Sequence, residues 1–267
     1  MTRADLAALL GPVRAGNAFE ETVERLLSVI KLGLVAPGHR FPPERELAGL
    51  LGVSRVTLRE AIRALQQAEF VESRRGRLGG TFVTYTQPAP DLTEARRIAL
   101  ADPERLTDAL TFRFVVETGA ADMLAASGGG RGRDTLLARL DDVNNATPGD
   151  YRRLDTLFHL SIAELTGSPT LAAACARVRM RLNDLLNAIP VLQHNIDHTA
   201  GQHAAITAAI LAGDRAAARR AVAEHLDGTA ALLRGFLAPP AAPSEPAVPA
   251  PSPRRPRVHR PRAREAS

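Results

Sequence analysis

The chain has 267 residues, and its 45% apolar content allows two ordinary domains, each with its own core. We find no run of about 18 uncharged apolar residues and no secretory signal pattern, so we expect a cytoplasmic protein without a membrane segment. The single cysteine, Cys175, excludes a disulfide framework and is expected to be a buried thiol.

The net charge of +5 is concentrated at the two ends of the chain. Residues 1–85 carry twelve basic and nine acidic side chains, and residues 238–267 carry six arginines and two glutamates. This distribution favours nucleic acid as a partner. Because Lys31 is the only lysine, arginine is the general cation of this chain, and only a regular pattern of arginines indicates function.

Three helices followed by a hairpin are predicted in residues 1–85, the order of a winged helix-turn-helix. The helices are expected over residues 19–30, over residues 44–51 and from residue 54 onward, and the strands over residues 70–73 and 81–84. Gly52 is a natural left-handed end for the second helix, and Ser54 is a natural N-cap for the third.

Residues 86–104 are predicted to be a linker, and an all-α antiparallel helical bundle is predicted over residues 105–237. Its helices are expected at 105–126, 131–145, 151–166, 169–188, 194–212 and 215–236. The segment 238–267 is rich in Pro, Ala and Arg without periodicity and is predicted to be a disordered basic tail that adds nonspecific DNA affinity or is inert.

The third helix combines a basic stripe with an apolar face. Arg55, Arg59 and Arg63 are spaced four apart, whereas the opposite face is apolar from Leu58 to Leu65. For one isolated helix, a solvated charged face is the simpler interpretation. Here the N-cap, the preceding short helix and the basic hairpin occur in the correct order, so we interpret the stripe as part of a DNA-binding surface.

A helix in the major groove contacts bases through its first turns. Arg55 and Arg59 are therefore candidates for guanine, and Thr57 for a base or a phosphate. Arg45, at the start of the preceding helix, is placed for a phosphate. The glycine-rich basic turn of residues 74–80 is expected to contact the DNA backbone or the minor groove.

Residues 36–83, "APGHRFPPERELAGLLGVSRVTLREAIRALQQAEFVESRRGRLGGTFV", resemble the DNA-binding domain of the GntR family of bacterial transcription regulators. The resemblance implies a homodimer that binds a palindromic operator in double-stranded DNA. It implies DNA contacts by Arg45, Ser54, Arg55, Thr57 and Arg59, with Arg75 and Gly76 at the tip of the wing. Val56 differs from the Thr or small polar residue of many members, so the operator sequence does not follow.

The predicted bundle contains a set of potential metal ligands. Asp155 and His159 are spaced i, i+4 on one helix, a pair that in isolation is more often a polar surface pair. His203 and His225 lie on two later helices, each among small apolar residues. Imidazole and carboxylate donors from three helices suit Zn²⁺ or another borderline divalent ion.

Residues 105–235 resemble the FCD ligand-binding domain of the FadR-type branch of GntR regulators. The resemblance implies a divalent metal, with Zn²⁺ favoured and Ni²⁺ or Mn²⁺ as alternatives, that helps to bind a small carboxylate effector. The implied metal ligands are Asp155, His159, His203 and His225. Arg113 is a candidate for pairing with the effector carboxylate, and an ordinary surface arginine is the alternative interpretation. His194 and His198 match no implied ligand.

The leading hypothesis is a homodimeric transcription regulator, a repressor in the usual case, that is not an enzyme. The first alternative is a metal-dependent hydrolase-like enzyme with a DNA-binding head, because three His and one Asp could activate a water molecule. Against it, we find in the sequence no glutamate placed beside the four ligands as a general base. The second alternative, a structural nucleoid protein, predicts no ligand response and no preferred DNA sequence.

Overall fold

In a computed structural model of the protein, the described residues are 10–13, 18–77, 79–86, 91–191 and 193–238, without the side chains of residues 131 and 194. These residues form ten α-helices and one two-stranded sheet, which confirms the predicted mainly α fold. The predicted tail beyond residue 238 and residues 87–90 of the predicted linker lie outside the described part. Within that part, no helix has the length and apolarity needed to cross a membrane.

The N-terminal head is a winged helix-turn-helix, as predicted. Its elements are α1 (Ala18–Lys31), α2 (Glu44–Leu51), α3 (Arg55–Gln67), β1 (Val71–Arg74) and β2 (Gly80–Val83). The strands pair antiparallel, from Val71 opposite Val83 to Arg74 opposite Gly80. The apolar face of α3 is buried in a core shared with α1 and α2, so its other face remains available to solvent.

Two residues specify the turn between α2 and α3. Gly52 ends α2 with φ +64°, a left-handed conformation that costs glycine little. The hydroxyl of Ser54 accepts a hydrogen bond of 3.0 Å from the backbone N–H of Thr57, one of the donors that a helix start leaves unpaired. The glycine and the cap fix where α3 begins.

In the described part of the second domain, all regular secondary structure is helical. Its six predicted helices are all present, within two residues of their expected bounds: α5 (Pro103–Ala125), α6 (Arg133–Asn144), α7 (Tyr151–Leu165), α8 (Pro169–Asn187), α9 (Gln193–Leu211) and α10 (Arg215–Leu237). A short 3₁₀ turn, Gly130–Gly132, precedes α6. Helix α5 contacts α7, α8, α9 and α10, so it is the helix around which the others are arranged.

The segment predicted as a linker contains a helix that sequence analysis missed, α4 (Leu92–Ala101). Ala95 and Ala99 of this helix are buried in a cluster with residues of α8 and α10. The guanidinium Nε of Arg96 donates a 2.7 Å hydrogen bond to the carbonyl of Phe236. Two alanines one turn apart are too weak a pattern to predict a helix, although they are enough to pack it against the bundle.

Candidate functional site

The candidate DNA-binding surface centres on the first turn of α3. Arg55 and Arg59 are exposed and Thr57 is half-buried. Ser54 is exposed, but its hydroxyl accepts from the Thr57 N–H and lies 2.9 Å from Thr57 Oγ1, so it is already engaged in the cap. Both arginines are exposed at the start of the helix, where base contacts are made in this motif.

An acidic side chain from α2 contacts one of these arginines. Nε of Arg59 lies 2.8 Å from Oε2 of Glu44, and both side chains are exposed. An ion pair of this kind stabilises by only about 0–1 kcal/mol, so a DNA phosphate could displace the carboxylate. Arg45, the next residue on α2, is exposed. The start of α2 thus contributes one cationic group, Arg45, between the acidic Glu44 and Glu46.

The wing carries exposed residues at its tip. Arg75 and Gly76 are exposed, and Gly76 has φ +100°, which only glycine adopts readily. The guanidinium of Arg74 lies 4.3 Å from the centre of the Phe82 ring and is held on the sheet by this cation–π contact. A cleft of about 340 Å³ lies between Glu44 at the start of α2 and Arg74 and Gly80 of the strands, so the wing lies beside the start of α2.

Inside the bundle, four side chains from three helices converge. Helix α7 supplies Asp155 and His159, α9 supplies His203, and α10 supplies His225. One potential ligand atom from each residue lies within 4.8 Å of the other three, and the three imidazoles are buried. The structure therefore brings together the four residues that the sequence predicts as metal ligands.

The spacing of the ligand atoms fits one divalent cation. Nε2 of His159 lies 3.0 Å from Nε2 of His225 and 3.7 Å from Oδ1 of Asp155. Nε2 of His203 lies 3.2 Å from the same Asp155 oxygen. Ligands about 2.0–2.1 Å from a tetrahedral Zn²⁺ are about 3.3–3.4 Å apart. These three distances lie within about 0.4 Å of that value, and all four ligand atoms lie within 4.8 Å of one another.

Burial keeps two of the imidazoles neutral. Burial, together with the nearby positive charge of Arg179, lowers the pKa of His159 to about 4, although the carboxylates of Glu117 and Asp155 act in the opposite direction. Burial and the facing imidazoles hold the pKa of His225 well below its usual value. At pH 7 each of these rings therefore carries one N–H and one lone pair, which is the state that binds a metal.

Hydrogen bonds outside the cluster determine which nitrogen carries the proton. Nδ1 of His159 donates to Oε2 of Glu117 at 3.0 Å, and Nδ1 of His225 donates to Oε1 of Gln202 at 3.1 Å. The lone pairs of both rings are then on Nε2, and these two atoms face each other at 3.0 Å. Two facing lone pairs repel unless a cation lies near both, so this tautomer pattern suits a metal site.

The unpaired ring nitrogens of His203 are a second feature that suits a metal site. Although its Nε2 is near Asp155, both ring nitrogens of His203 are buried without a hydrogen bond to any described residue. A buried polar group left unpaired costs about 1–3 kcal/mol. The ring is held against Phe158, with centroids 4.5 Å apart, and so cannot turn freely toward solvent. A metal ion would satisfy one of its nitrogens.

A buried charge network supports the cluster from α5 and α8. Glu117 accepts hydrogen bonds from Nε of Arg113 at 3.0 Å and from Nε of Arg179 at 2.9 Å, and Nη1 of Arg179 donates to Oδ2 of Asp155 at 3.3 Å. Burial by itself raises the pKa of Glu117, but the two guanidinium groups outweigh it and hold the pKa well below its usual value. The two positive charges of the arginines thus balance the two negative charges of Glu117 and Asp155 in the protein interior.

Asp155 is held ionised in the same way. Burial raises its pKa, but His159, a contact with His203 and the charge of Arg179 outweigh this effect and hold the pKa well below its usual value. Because the carboxylate stays charged, it remains a strong oxygen ligand for a divalent cation.

Arg113 is almost fully buried, with 2% of its surface exposed, so the surface-arginine interpretation is wrong. Its Nη1 is buried and has no hydrogen-bond partner among the described residues, and the same holds for Nε of Arg152. Both arginines line a small cavity that also reaches Asp155 and His225. Beside the four potential metal ligands there is therefore a small space with unpaired cationic donors.

Sequence analysis missed Glu117, Arg179 and Gln202, each of which contacts one of the four potential ligands. The available signal for Glu117 was its i, i+4 spacing from Arg113 on an otherwise largely apolar helix. Glu117 contacts the ring nitrogen of His159 that points away from the cluster. It therefore orients the imidazole and is not placed to deprotonate a water molecule within the cluster.

A winged helix-turn-helix joined to a helical domain with a buried ligand cluster defines a class: transcription regulators that bind DNA through the head. Residues 19–83 match the family described as bacterial regulatory proteins, gntR family, and residues 108–228 match the FCD domain. The chain belongs to the gntR family of bacterial regulatory proteins, with an FCD domain after the head; members of this family are transcription regulators rather than enzymes.

Individual relatives are regulators as well. "Putative HTH-type transcriptional regulator RmpR" of Mycobacterium gastri is 36% identical over 172 residues, which span 59% of this chain and 58% of that protein. "Putative L-lactate dehydrogenase operon regulatory protein" of Escherichia coli K12 is 28% identical over 235 residues, 81% of this chain and 86% of that protein. The solved structure of E. coli McbR/YncC covers 82% of this chain and 97% of its own, with a TM-score of 0.47 and 20% identity.

Proposed function

We propose that the protein is a homodimeric repressor whose affinity for a palindromic operator is controlled by a small carboxylate metabolite bound beside a divalent metal ion in the helical domain. The proposed metal is Zn²⁺, with Ni²⁺ or Mn²⁺ as alternatives, and its proposed ligands are Asp155, His159, His203 and His225. The observation that carries the proposed metal site is the 3.0 Å distance between Nε2 of His159 and Nε2 of His225. The Nδ1 atom of each ring donates a hydrogen bond outside the cluster, which leaves the lone pair of each ring on Nε2.

In the head, seven residues are proposed to contact DNA: Arg45, Ser54, Arg55, Thr57, Arg59, Arg75 and Gly76. The exposure of the four arginines among them supports this assignment. Phosphate contacts by arginine release counterions, so operator affinity should fall steeply with salt. Two heads related by a two-fold axis would recognise the two halves of a palindrome.

In the bundle, the effector is proposed to bind in the small cavity next to the four ligands. A bound divalent cation supplies a Lewis acid that attracts a carboxylate oxygen. Arg113 would donate from its unpaired Nη1 to the same carboxylate, and its ion pair with Glu117 holds the guanidinium in place. Arg152 offers a further unpaired donor at the cavity wall.

The packing of α3 on α1, of α1 on α8 and of α8 on α5 supports communication between the two sites. Arg113 lies on α5, and Asp102, which ends α4, caps the start of α5 by accepting from the Arg105 N–H at 2.9 Å. Between the head and α8, Nζ of Lys31 lies 3.4 Å from Oδ2 of Asp184. A ligand shifts the DNA-binding equilibrium only if it binds two arrangements of these helices with different affinity.

An exposed apolar face of α5 supports dimer formation through the bundle. Phe112, Val115 and Met123 share this face and are exposed. A two-fold interface would bury such a stripe against its own copy. Val115→Asp should convert the dimer to a monomer in sedimentation velocity experiments, while Arg177→Asp, at an exposed position of α8, should leave the dimer intact. A wild-type chain that sediments as a monomer would contradict the proposed assembly.

Metal analysis tests the site directly. We expect about one divalent ion per chain in the purified protein, and its loss in His203→Ala and His225→Ala. The matched control is His198→Ala, which removes an exposed histidine from α9, the helix that carries His203, and should retain the metal. Metal-free wild-type protein that still responds to an effector would contradict the metal assignment.

The effector and operator are tested together. Small carboxylic acids should raise the melting temperature of the metal-loaded protein more than that of chelator-treated protein, because a ligand that binds only the folded state stabilises it. A stabilising acid should then change operator affinity at fixed salt, and weaker binding is expected for a repressor released by its ligand. An acid that binds equally well to Arg113→Met would contradict the role of Arg113.

A further inference from the structure

The start of α3 presents an apolar side chain that packing does not explain. Val56 is 66% exposed, the largest exposed fraction among the large apolar side chains recorded as exposed in the described residues. The other bulky apolar residues of α3 are buried in the head core. The side chain of Val56 is therefore free to contact a binding partner.

The helical geometry directs Val56 away from the protein. It lies two residues before the buried Leu58, about 200° around the helix at 100° per residue, and therefore on the opposite side. It stands between Arg55 and Thr57 in the first turn, where a recognition helix meets base edges. Because valine has one strongly preferred rotamer in a helix, its two methyl groups are already fixed in direction.

The neighbouring hydroxyl groups have limited freedom to contact bases. Ser54 Oγ accepts from the Thr57 backbone and lies 2.9 Å from the Thr57 hydroxyl, so part of the hydrogen-bonding capacity of both groups is used within the protein. Of the first-turn positions, Arg55 offers donors for guanine, and Val56 offers only an apolar surface. In the major groove the apolar group on a base edge is the 5-methyl of thymine.

We infer that Val56 contacts the 5-methyl group of one thymine in each half of the operator and so selects thymine at that position. The inference rests on the proposed function, since it requires α3 to lie in the major groove of a preferred DNA sequence. It adds an apolar determinant to the polar contacts proposed above.

The experiment starts from an operator selected by the wild-type protein from a random duplex pool. Each thymine is then replaced by deoxyuridine, symmetrically in the two half-sites, which removes the methyl group and keeps every hydrogen-bonding group. At one position we expect affinity to fall about fourfold per half-site, the value of one buried methyl-sized group, and elsewhere to change little.

The matched variant is Val56→Ala, which removes the side-chain methyl groups from an exposed position and should leave the melting temperature unchanged. It should bind the unmodified operator about as weakly as the wild type binds the uracil-containing operator, with no further loss on uracil substitution. If the wild type shows no thymine whose methyl group matters, or if Val56→Ala keeps the same methyl dependence, the inference is wrong while operator recognition stands. If selection yields no preferred sequence, the proposed function and this inference both fail.

Discussion

The two candidate sites of this protein are built in opposite ways. The proposed DNA-binding residues of the head come mostly from one short stretch, and most of their side chains are exposed. The proposed metal and effector site draws side chains from α5, α7, α8, α9 and α10, and most of them are buried. The head surface is supported by a core beneath it, whereas the bundle site lies inside the core itself.

This difference separates binding from stability. A substitution on the exposed face of α3 removes a contact with DNA but little that holds the head together. A substitution in the buried network leaves a charge without its partner in a medium of low dielectric, which costs stability even before any ligand is considered.

Arg179→Ala should have the largest effect. Arg179 is 1% exposed and bonds to both Glu117 and Asp155, so its loss leaves two buried carboxylates undercompensated. We expect the free energy of unfolding to fall by about 3–5 kcal/mol in urea denaturation. The matched control is Arg177→Ala, an exposed arginine two residues away on α8, for which we expect a change within about 0.5 kcal/mol. Similar losses in the two variants would show that the network does not stabilise the fold.

Acid should destabilise the chelator-treated protein. The folded state holds the pKa of His159 at about 4, below its usual value of 6.5, so between pH 6.5 and pH 4 the unfolded chain binds a proton that the folded chain does not. Stability therefore falls as pH drops through this window, by about 3 kcal/mol from His159 alone. Urea denaturation at several pH values measures the slope, which His159→Asn should reduce. A flat profile between pH 7 and pH 4.5 would mean that His159 is not buried as a neutral ring.

The elements of the fold could be predicted because their signals are local. Gly52 and Ser54 mark the turn before α3, and Gly213 with Asp214 marks the start of α10, where the Asp214 side chain accepts from the Ala217 N–H. Helix α4 was missed because its buried residues, Ala95 and Ala99, are small, whereas its larger Ile98 and Leu100 are exposed; its cap, Asp91, does accept a hydrogen bond from the Glu94 N–H. A helix cap without a clear apolar stripe was not sufficient to predict this helix from the sequence.

The candidate site could be predicted only in part. Asp155 and His159 share one helix face and are visible as a pair, but bringing His203 and His225 to them depends on which helices pack together. Arg179 stands between the exposed Arg177 and Arg181, and helical spacing separates it from them only by placing it on one face with Cys175 and Leu182. Its role arises because α8 packs against α5 and places the guanidinium on Glu117. Spacing indicates that Arg179 is buried, whereas its acidic partners depend on the tertiary structure.

Arg55→Ala should weaken DNA binding without affecting the fold. If Arg55 contacts guanine through two hydrogen bonds, its loss should cost about 1–3 kcal/mol of operator affinity and relax the preference at one base pair, while the melting temperature changes little. Arg63→Ala, two turns further along the exposed face, should weaken binding less and leave sequence preference unchanged. Equal effects of the two variants on preference would contradict a graded surface in which specificity lies at the helix start.

Ser54→Ala should show where the separation between binding and stability breaks down. Ser54 belongs to the exposed surface, yet its hydroxyl caps α3 at 3.0 Å from the Thr57 nitrogen, so its loss should lower the free energy of unfolding by about 1 kcal/mol. Ser28→Ala is the matched control: that hydroxyl donates to the Glu24 carbonyl at 2.8 Å within α1, where no cap is lost. If Ser54→Ala is as stable as Ser28→Ala but binds the operator less tightly, the hydroxyl acts on DNA and the cap adds nothing measurable. If both stability and affinity fall, the cap positions the whole first turn, and even the exposed site depends on a bond inside the protein.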